Sequence, residues 1–360
     1  MSDRTLMCGN EAIAEAAIRH GLDAYFGYPI TPQNEIAAHM SRRMPEEGRV
    51  FLQSESELAA INMVFGAAAT GDLAMTTSSS PGVSLMQEGL SYLAGADLPA
   101  VIVNVMRGGP GLGNIAPAQG DYFQAVRGGG HGDYRTPTLA PASVQEMADA
   151  VPIAFDIAWR YRTPVMIIAD GILGQMMEPL VLPEMSGRRR ERPLWALTGA
   201  EGRQRRIVRS LYLGDGELER VVRERFARYA EIERTEVRAE TRGIPDAEVV
   251  CVAYGICARI VRAACARART EGIRAGWIRP ITLWPFPADA IRGASGKGRV
   301  FLAVEMSMGQ MVDDVRLSLL GRAPVRLLGR PGGGIPTEDE VLREIRAASD
   351  AARAGKAGEP

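Results

Sequence analysis

Residues 99–109, PAVIVNVMRGG, decide the fold class, because a nearly continuous apolar run ends there in arginine and glycine. Strands that are buried on both faces have this composition, and they belong to parallel sheets covered by helices. Residues 163–174, TPVMIIADGILG, repeat the pattern. Helix-like and strand-like stretches alternate around both runs from residue 1 to residue 180. The sequence therefore predicts an α/β protein with a parallel sheet covered on both faces.

The chain of 360 residues is too long for one ordinary core, and about two domains are expected. The helix–strand alternation stops near residue 181 and resumes at 246. We predict a first domain at 1–182, a charged linker at 183–245, a second α/β domain at 246–345 and a frayed tail at 346–360.

The linker contains a charge run, GRRRERP, and a charged amphipathic helix at residues 216–240. The charge run is predicted to be a solvated connector. The sequence does not tell whether the helix packs on its own chain or on a partner. Its predicted apolar stripe consists of Leu218, Val222, Phe226, Tyr229, Ile232 and Val237.

Composition excludes several classes of protein. The 42 Lys and Arg residues against 43 Asp and Glu residues give a net charge of −1, which argues against a nucleic-acid binder. No apolar run approaches the roughly 18 residues of a membrane span, and the first residues lack a signal-peptide pattern, so a cytoplasmic protein is expected. The three histidines are scattered and the four cysteines contain no CxxC pair, so no metal or iron–sulfur site is expected in this chain.

Two segments at predicted strand ends carry groups that could bind a ligand. Residues 27–32, GYPITP, lie where open α/β sheets bind ligands. Thr31 either offers its hydroxyl and amide to a ligand or caps a helix with Pro32 at the first helical position. The turn Ser78-Ser79-Ser80-Pro81-Gly82 precedes a helix and suits an anion or a polar ligand edge, although such clusters also form ordinary turns.

Two glutamates, Glu55 and Glu57, precede the apolar helix LAAINMVFGAAA. Burial against an apolar wall disfavours the charged form of a carboxylate, which suits a proton donor to a ring nitrogen. The alternative for either glutamate is an exposed position at a helix start, where the helix dipole favours negative charge.

A long glycine-rich run extends from Arg107 to Gly132, with nine glycines among its 26 residues. A loop of this length in a compact domain is usually functional or disordered, and its position after a buried strand favours function. Arg107 could hold a substrate carboxylate in a bidentate fork. The alternative is a structural ion pair of Arg107 with Asp121 or Asp133.

Two cofactor signatures are incomplete. A dinucleotide-binding GxGxxG motif is missing near the N-terminus, which disfavours a nicotinamide dehydrogenase. Gly214-Asp215-Gly216 is similar to the beginning of the signature that binds Mg²⁺ and the diphosphate of thiamine diphosphate. No asparagine follows residue 216, so the metal-binding half of that signature cannot be completed in this chain.

Long stretches of the chain closely resemble the alpha subunit of 2-oxoacid:ferredoxin oxidoreductases. They include GYPITPQNEIAAHMS (27–41), QSESELAAINMVFGAA (53–68) and AVEMSMGQMVDDVR (303–316). RGGPGLGNIAPAQGDY (107–122) and GGGHGDYR (128–135) are similar to the branched-chain type, which acts on 2-oxoisovalerate (3-methyl-2-oxobutanoate). The resemblance covers nearly the whole chain.

The resemblance implies a pyrimidine-type thiamine diphosphate-binding domain with a parallel sheet, followed by a transketolase C-terminal-like α/β domain. It also implies a cofactor site shared with a beta subunit, which supplies the diphosphate and Mg²⁺ site and an iron–sulfur cluster. Gamma and ferredoxin-like subunits, ferredoxin and coenzyme A are the further expected partners. The implied reaction is oxidative decarboxylation of the 2-oxoacid to acyl-CoA, CO₂ and reduced ferredoxin, and it needs the partner subunits.

The resemblance also implies roles for individual residues. Glu57 lies nine positions before Gly66, as the cofactor-activating glutamate of the family does, and would hydrogen-bond N1′ of the aminopyrimidine. The QSE triplet of other members would place Glu55 there instead. Thr31 would contact substrate or cofactor, and Arg107 would bind the substrate carboxylate. The expected cofactor-binding residues are Glu57, Ser79, Ser80, Pro81 and Gly82.

Two other functions remain open at this point. The same chemistry could act on 2-oxoglutarate if Arg127 binds a distal carboxylate. The chain could instead be a non-catalytic scaffold that keeps the fold and binds the partner.

Overall fold

The structure is a computed structural model that describes residues 4–186 and 191–353. The strands of this part are β1 Thr5–Cys8, β2 Ala24–Gly27, β3 Val50–Gln53, β4 Ala74–Ser78, β5 Ala100–Met106, β6 Thr138–Leu139, β7 Pro164–Asp170, β8 Met177–Leu180, β9 Ala239–Arg242, β10 Val249–Val252, β11 Ala275–Pro280, β12 Thr282–Trp284, β13 Val300–Glu305 and β14 Val325–Gly329. The helices are α1 Gly9–His20, α2 Asn34–Glu46, α3 Glu57–Ala69, α4 Pro81–Gly95, α5 Tyr122–Arg127, α6 Val144–Tyr161, α7 Gly171–Gln175, α8 Glu217–Thr235, α9 Gly255–Thr270, α10 Ala288–Gly293, α11 Met311–Leu319 and α12 Glu338–Arg353.

A seven-stranded sheet organises the first half of the chain, in the order β12-β6-β7-β5-β4-β2-β3. Every neighbouring pair from β6 to β3 is parallel. Strand β5 lies at the centre, and all seven of its residues are buried, as are those of β7. The prediction of an α/β fold with buried parallel strands is therefore confirmed.

A second sheet of five strands, in the order β14-β13-β10-β11-β9, organises the C-terminal part. Three of its four pairings are parallel, and the fourth joins the edge strand β9 antiparallel to β11. Strand β9 falls in the segment predicted as the end of the linker helix. That helix, α8, ends at Thr235, five residues earlier than predicted.

Two short pairings were not predicted from the sequence. Strands β1 and β8 form an antiparallel two-stranded sheet. Strand β12, which follows β11 directly, leaves the five-stranded sheet and pairs antiparallel with β6 at the edge of the seven-stranded sheet. Strands of two to four residues carry too few alternating positions for their pairing to be predicted from the pattern.

The predicted apolar stripe of α8 is partly wrong. Leu218 and Phe226 are exposed, and Val237 lies beyond the helix. The buried positions are Val221, Arg225, Tyr229 and Ile232. The helix packs on its own chain, because Arg225 donates to Asp97 and to the Gly95 carbonyl oxygen of the seven-stranded unit. Arg225, a charged residue, is therefore buried on the inner face of α8, where the apolar pattern predicts its neighbour Phe226.

The C-terminal helix is longer than predicted. Helix α12 continues to Arg353, and Ala348 and Ser349 are buried, so residues 346–353 are helical where fraying is predicted. The remaining tail positions and residues 187–190 of the predicted connector lie outside the described residues. Within the described ranges, no helix has the length and apolar character needed to cross a membrane.

The glycine-rich run after β5 joins the two sheets. Gln119 is fully buried: its backbone N–H donates to the Met306 carbonyl, its side-chain oxygen accepts from the Met306 N–H, and its amide donates to the Tyr254 carbonyl. Asp314 on α11 accepts from Tyr122 at 2.6 Å and from Arg127 at 2.5 Å. Loop and second sheet therefore form one connected structure.

Asp170 makes a second connection between the sheets. Its carboxylate accepts from the backbone N–H of Ile172 and Leu173 on its own side, and from Ile256 at the start of α9 at 3.1 Å. Burial raises the pKa of Asp170 to about 6, although the three amide donors act in the opposite direction. Ionisation of Asp170 in the folded protein therefore lowers the free energy of unfolding.

We expect the Asp170→Asn variant to change the pH dependence of stability. Between the ordinary pKa of Asp and about 6, the folded wild type binds more protons than the unfolded chain. Its free energy of unfolding therefore falls as pH rises, by about 2–3 kcal/mol between pH 4 and 7. Urea unfolding of both proteins across this range should show the variant lacking that fall. Parallel curves would contradict the assignment.

Candidate active site

The predicted site residues meet at the carboxyl ends of the parallel strands. The segment after β2 carries Thr31, the serine turn follows β4, and Arg107 follows β5. Strands β2 and β4 are neighbours, as are β4 and β5, so the three segments lie side by side at one edge of the sheet. This is the edge where open parallel sheets bind ligands.

Glu57 is the first residue of α3 and is buried, with 4% of its surface exposed. The Ser56 hydroxyl caps the helix by accepting from the Ala59 N–H at 3.2 Å, which fixes where α3 begins. The Glu57 Oε1 atom accepts from the Ser78 hydroxyl at 3.1 Å, and Oε2 makes no hydrogen bond with the described residues. Glu55, two residues earlier, is exposed. Only one of the two candidate glutamates thus faces the strand ends.

The Glu57 carboxylate lies directly against the backbone of Gly82, the second residue of α4. A Cβ atom at Gly82 would collide with Glu57 Oε1 and with the Ser78 hydroxyl. Glycine thus lets the helix start approach the carboxylate this closely, and any side chain here would displace Glu57 or Ser78.

The serine turn has one unsatisfied buried hydroxyl. The Ser79 Oγ atom is buried and finds no hydrogen-bond partner among the described residues. Ser80 has a φ of 23°, unusual for a residue with a Cβ, and its N–H donates to Asn104 at 2.9 Å. Strain and an orphaned polar group in one turn are typical of ligand-binding sites.

Asp121 closes the site from the glycine-rich run. Its Oδ2 atom accepts from the Ser80 hydroxyl at 2.5 Å and from the Asn104 amide at 2.9 Å. Ser80 also contacts the backbone of Arg107, whose N–H donates to its hydroxyl oxygen at 3.0 Å. Burial raises the pKa of Asp121, while the two hydrogen bonds lower it. This network fixes the serine turn relative to the start of the glycine-rich run.

Arg107 does not form either of the structural ion pairs considered for it, because its hydrogen bonds go to carbonyl oxygens. It donates to the Thr31 carbonyl at 3.0 Å and to the Leu112 carbonyl at 3.4 Å. Its Nε–H is buried without a partner among the described residues. Arg107 is therefore adjacent to Thr31 and keeps donor capacity for an anionic group.

The capping role considered for Thr31 is wrong. Helix α2 begins at Asn34 with Gln33 as its N-cap, so Pro32 is not its first residue. The Thr31–Pro32 bond is cis. Gln33 is fully buried and accepts from Thr77 at 2.5 Å, which ties the segment to β4. Thr31 is thus in the segment between strand and helix, with its carbonyl against Arg107.

Sequence reasoning missed Gln33, Asn104 and the contact of Asp121 with the serine turn. Asn104 carried a usable signal, since it is the one polar residue in the apolar strand AVIVNVM and is fully buried. A buried amide needs a partner, and Ser80 and Asp121 provide it. No pattern in the sequence marks Gln33.

Comparisons with known proteins agree on one family. The profile described as "Pyruvate flavodoxin/ferredoxin oxidoreductase, thiamine diP-bdg" matches residues 15–199, and "Pyruvate:ferredoxin oxidoreductase core domain II" matches residues 247–341. Ketoisovalerate oxidoreductase subunit VorB of Methanothermobacter thermautotrophicus is 52% identical over 338 residues, covering 94% of this chain and 96% of its own. The chain belongs to this thiamine diphosphate-binding oxidoreductase family.

More distant members of the family also align over most of the chain. 2-Oxoglutarate synthase subunit KorA of the same organism is 36% identical, covering 96% of this chain and 99% of its own. The solved 2-oxoglutarate:ferredoxin oxidoreductase from Magnetococcus marinus, with 2-oxoglutarate, coenzyme A and succinyl-CoA bound, superposes with a TM-score of 0.87 at 25% identity. It covers 97% of this chain and 66% of that one. A split-gene transketolase shares the fold alone, with a TM-score of 0.58 at 13% identity. The predicted family and fold class are confirmed.

The residues present fit the aminopyrimidine half of the family's cofactor. An aminopyrimidine presents ring nitrogens that accept hydrogen bonds and an amino group that donates them. The site offers a buried carboxylate at Glu57, an orphaned hydroxyl at Ser79 and bare backbone at Gly82. No group of three or more His, Cys, Asp or Glu residues with metal-binding geometry occurs in the described part of the chain.

We expect the Gly82→Ala substitution to weaken the binding of thiamine diphosphate to the enzyme complex. The added methyl group would displace Glu57 or Ser78, and overpacking of this kind costs about 1–3 kcal/mol. The concentration of thiamine diphosphate that half-activates the enzyme complex should rise at least about tenfold, which corresponds to about 1.4 kcal/mol.

The control is Gly66→Ala in the middle of α3. A Cβ atom at Gly66 meets nothing within 4 Å, so the change should leave cofactor activation unaltered and stabilise the helix by about 0.5–1 kcal/mol. Equal effects of the two substitutions on half-activation would refute the close-contact argument.

Proposed function

We propose that this chain is the alpha subunit of a branched-chain 2-oxoacid:ferredoxin oxidoreductase. It would catalyse, together with partner subunits, oxidative decarboxylation of 2-oxoisovalerate with coenzyme A to acyl-CoA, CO₂ and reduced ferredoxin. The observation that carries the proposal is the buried Glu57 carboxylate, held between the Ser78 hydroxyl and the bare backbone of Gly82 at the ligand-binding edge of the sheet.

Glu57 would hydrogen-bond to N1′ of the aminopyrimidine through its oxygen without a protein partner. Ser79, Ser80, Pro81 and Gly82 would line the ring. When bound, thiamine diphosphate would supply a nucleophilic carbon and an electron-accepting ring for the decarboxylation of the 2-oxoacid. Burial suits Glu57 to hydrogen-bond the ring, since water does not compete for its carboxylate.

Arg107 and Thr31 would orient the substrate. The Nε–H of Arg107 has no partner among the described residues, and its contact with the Thr31 carbonyl directs the guanidinium toward the strand ends. A guanidinium matches a carboxylate in charge and geometry. We infer that Arg107 binds the carboxylate that departs as CO₂, with Thr31 beside it.

Partner subunits would complete the site. We infer that a beta subunit contributes the diphosphate and Mg²⁺ site and an iron–sulfur cluster, and that gamma and ferredoxin-like subunits and ferredoxin carry the reaction further. The names of the relatives support this, since each describes one subunit of a larger enzyme. All four cysteines are buried and free, which makes them unsuited as ligands of an electron-transfer cluster at the surface.

The 2-oxoglutarate alternative receives less support. The identity to a ketoisovalerate oxidoreductase subunit is 52%, against 36% for a 2-oxoglutarate synthase subunit. Arg127, the cation considered for a distal carboxylate, is already paired with the buried carboxylate of Asp314. A distal substrate carboxylate would have to compete with that ion pair.

We expect the Glu57→Gln substitution to abolish most of the activity, and Glu55→Gln to spare it. Glutamine keeps the shape of the side chain but cannot hold the proton, so the rate should fall by about 10² or more. Glu55 is exposed, so its variant should stay within about twofold of the wild type. The assay is reduction of a viologen dye by the complex, dependent on both 2-oxoacid and coenzyme A.

The same assay separates the candidate functions when 2-oxoisovalerate, 2-oxoglutarate and pyruvate are compared. A preference for 2-oxoisovalerate that is lost in Glu57→Gln supports the proposal. Dye reduction with 2-oxoglutarate alone keeps the mechanism and discards the substrate. No reduction with any 2-oxoacid, in a complex that holds cofactor and clusters, favours the non-catalytic scaffold.

The Arg127→Ala substitution tests the substrate assignment from the opposite direction. We expect the ratio of kcat/KM for 2-oxoisovalerate to that for 2-oxoglutarate to stay within about threefold of the wild-type ratio. The reason is that Arg127 is paired with Asp314. A selective loss of the residual 2-oxoglutarate activity would show that Arg127 reaches a distal carboxylate.

A further inference from the structure

A cavity of about 410 Å³ lies between helix α9 and the edge of the five-stranded sheet. Three arginines line it, Arg242, Arg262 and Arg269, together with Trp277, and no carboxylate does. We call it the arginine cavity. It is far along the chain from the site residues and belongs to the other sheet.

The local structure brings the arginines together. Arg242 on β9 is directly opposite Trp277 on β11, so the two side chains project from the same face of the sheet. Arg262 and Arg269 are seven residues apart on α9, which places them on one side of that helix. One wall of the cavity is thus a strand edge and the other is a helix.

The guanidinium of Arg269 is held by acceptors of the protein. Its Nε–H donates to the Ala275 carbonyl at 2.6 Å, and its Nη2 donates to the Gly243 carbonyl at 2.8 Å. It also pairs with Asp246 through two hydrogen bonds of 2.8 and 3.1 Å. Arg269 therefore has a structural role.

Arg242, Arg262 and Trp277 remain as side-chain donors of the cavity. Arg242 and Arg262 are exposed to solvent, and neither guanidinium is hydrogen-bonded or ion-paired with the described residues. Trp277 has 6% of its surface exposed. Two cations and a nearly buried aromatic side chain thus line one cavity, and no carboxylate is among its lining residues. Glu146, Glu178 and Glu240 line the neighbouring cavity, which Arg262 and Trp277 also border.

We propose that the arginine cavity binds a phosphate group of a small anionic ligand. Arg242 and Arg262 would donate from opposite walls, and the indole N–H of Trp277 would donate from the floor. Three donors on separate elements suit a tetrahedral oxyanion better than a planar carboxylate, which one guanidinium fork satisfies. The volume lies in the range of small-molecule sites, so the ligand can extend beyond its phosphate.

The test is isothermal titration calorimetry of the full chain with inorganic phosphate, ADP and coenzyme A as probes, with tryptophan fluorescence as a second readout. We expect saturable binding of at least one probe, with a fluorescence change that Trp277→Phe removes. Arg242→Gln and Arg262→Gln should each weaken binding about tenfold or more. Arg322→Gln, which removes the same charge from an exposed position outside the cavity, should not.

The probes also identify the source of the phosphate. Equal affinity for all three assigns the site to phosphate alone, whereas tighter binding of ADP or coenzyme A assigns it to a nucleotide ligand. Arg242→Lys and Arg262→Lys, which keep the charge, should bind better than the glutamine variants and show whether any loss reflects misfolding. The absence of saturable binding with every probe would overturn the proposal, as would equal weakening by Arg322→Gln.

Discussion

The contact between the Glu57 carboxylate and the bare backbone of Gly82 is the constraint on which the site depends. It requires the first turns of α3 and α4 to meet at the ends of their strands with no side chain between them. A second glycine of α4, Gly89, lies two turns further along, and a Cβ atom there would collide with Ile61 of α3. The two glycines lie on one face of α4, so the close packing of the helices along their length holds the carboxylate in place.

Around this contact, most polar groups form hydrogen bonds within the protein, and a few keep free hydrogen-bonding capacity. The Ser78 hydroxyl donates to Glu57. Ser80, Asn104 and Asp121 satisfy one another, and they fix the turn and the beginning of the glycine-rich run. The groups without partners among the described residues, the Ser79 hydroxyl and the Arg107 Nε–H, belong to the same strand ends. Because a buried polar group without a partner is costly, the position of these two groups at the ligand-binding edge supports the proposed cofactor and substrate sites.

The sequence was sufficient for the long elements and for the location of the site. Continuous apolar runs identify β5 and β7, and the turn and glutamate residues follow from their position after strands and before helices. Short strands such as β9 and β12 could not be predicted, because their pairing depends on partners distant in the chain. The inner face of α8 was misassigned for a similar reason: burial of Arg225 depends on Asp97, 128 residues away. The roles of Glu57, Arg107 and Thr31 remain predictions, although the structure brings all three to one edge.

Strand β12 has a consequence for the independence of the two halves of the chain. It follows β11 of one sheet immediately and completes the edge of the other. Removal of the C-terminal part would leave β6, a strand of two residues, as an open edge and would unmask its unpaired backbone groups. The two halves of the chain therefore share a sheet edge. Because Ile281 alone separates β11 from β12, a displacement of β11 would shift the border of the other sheet.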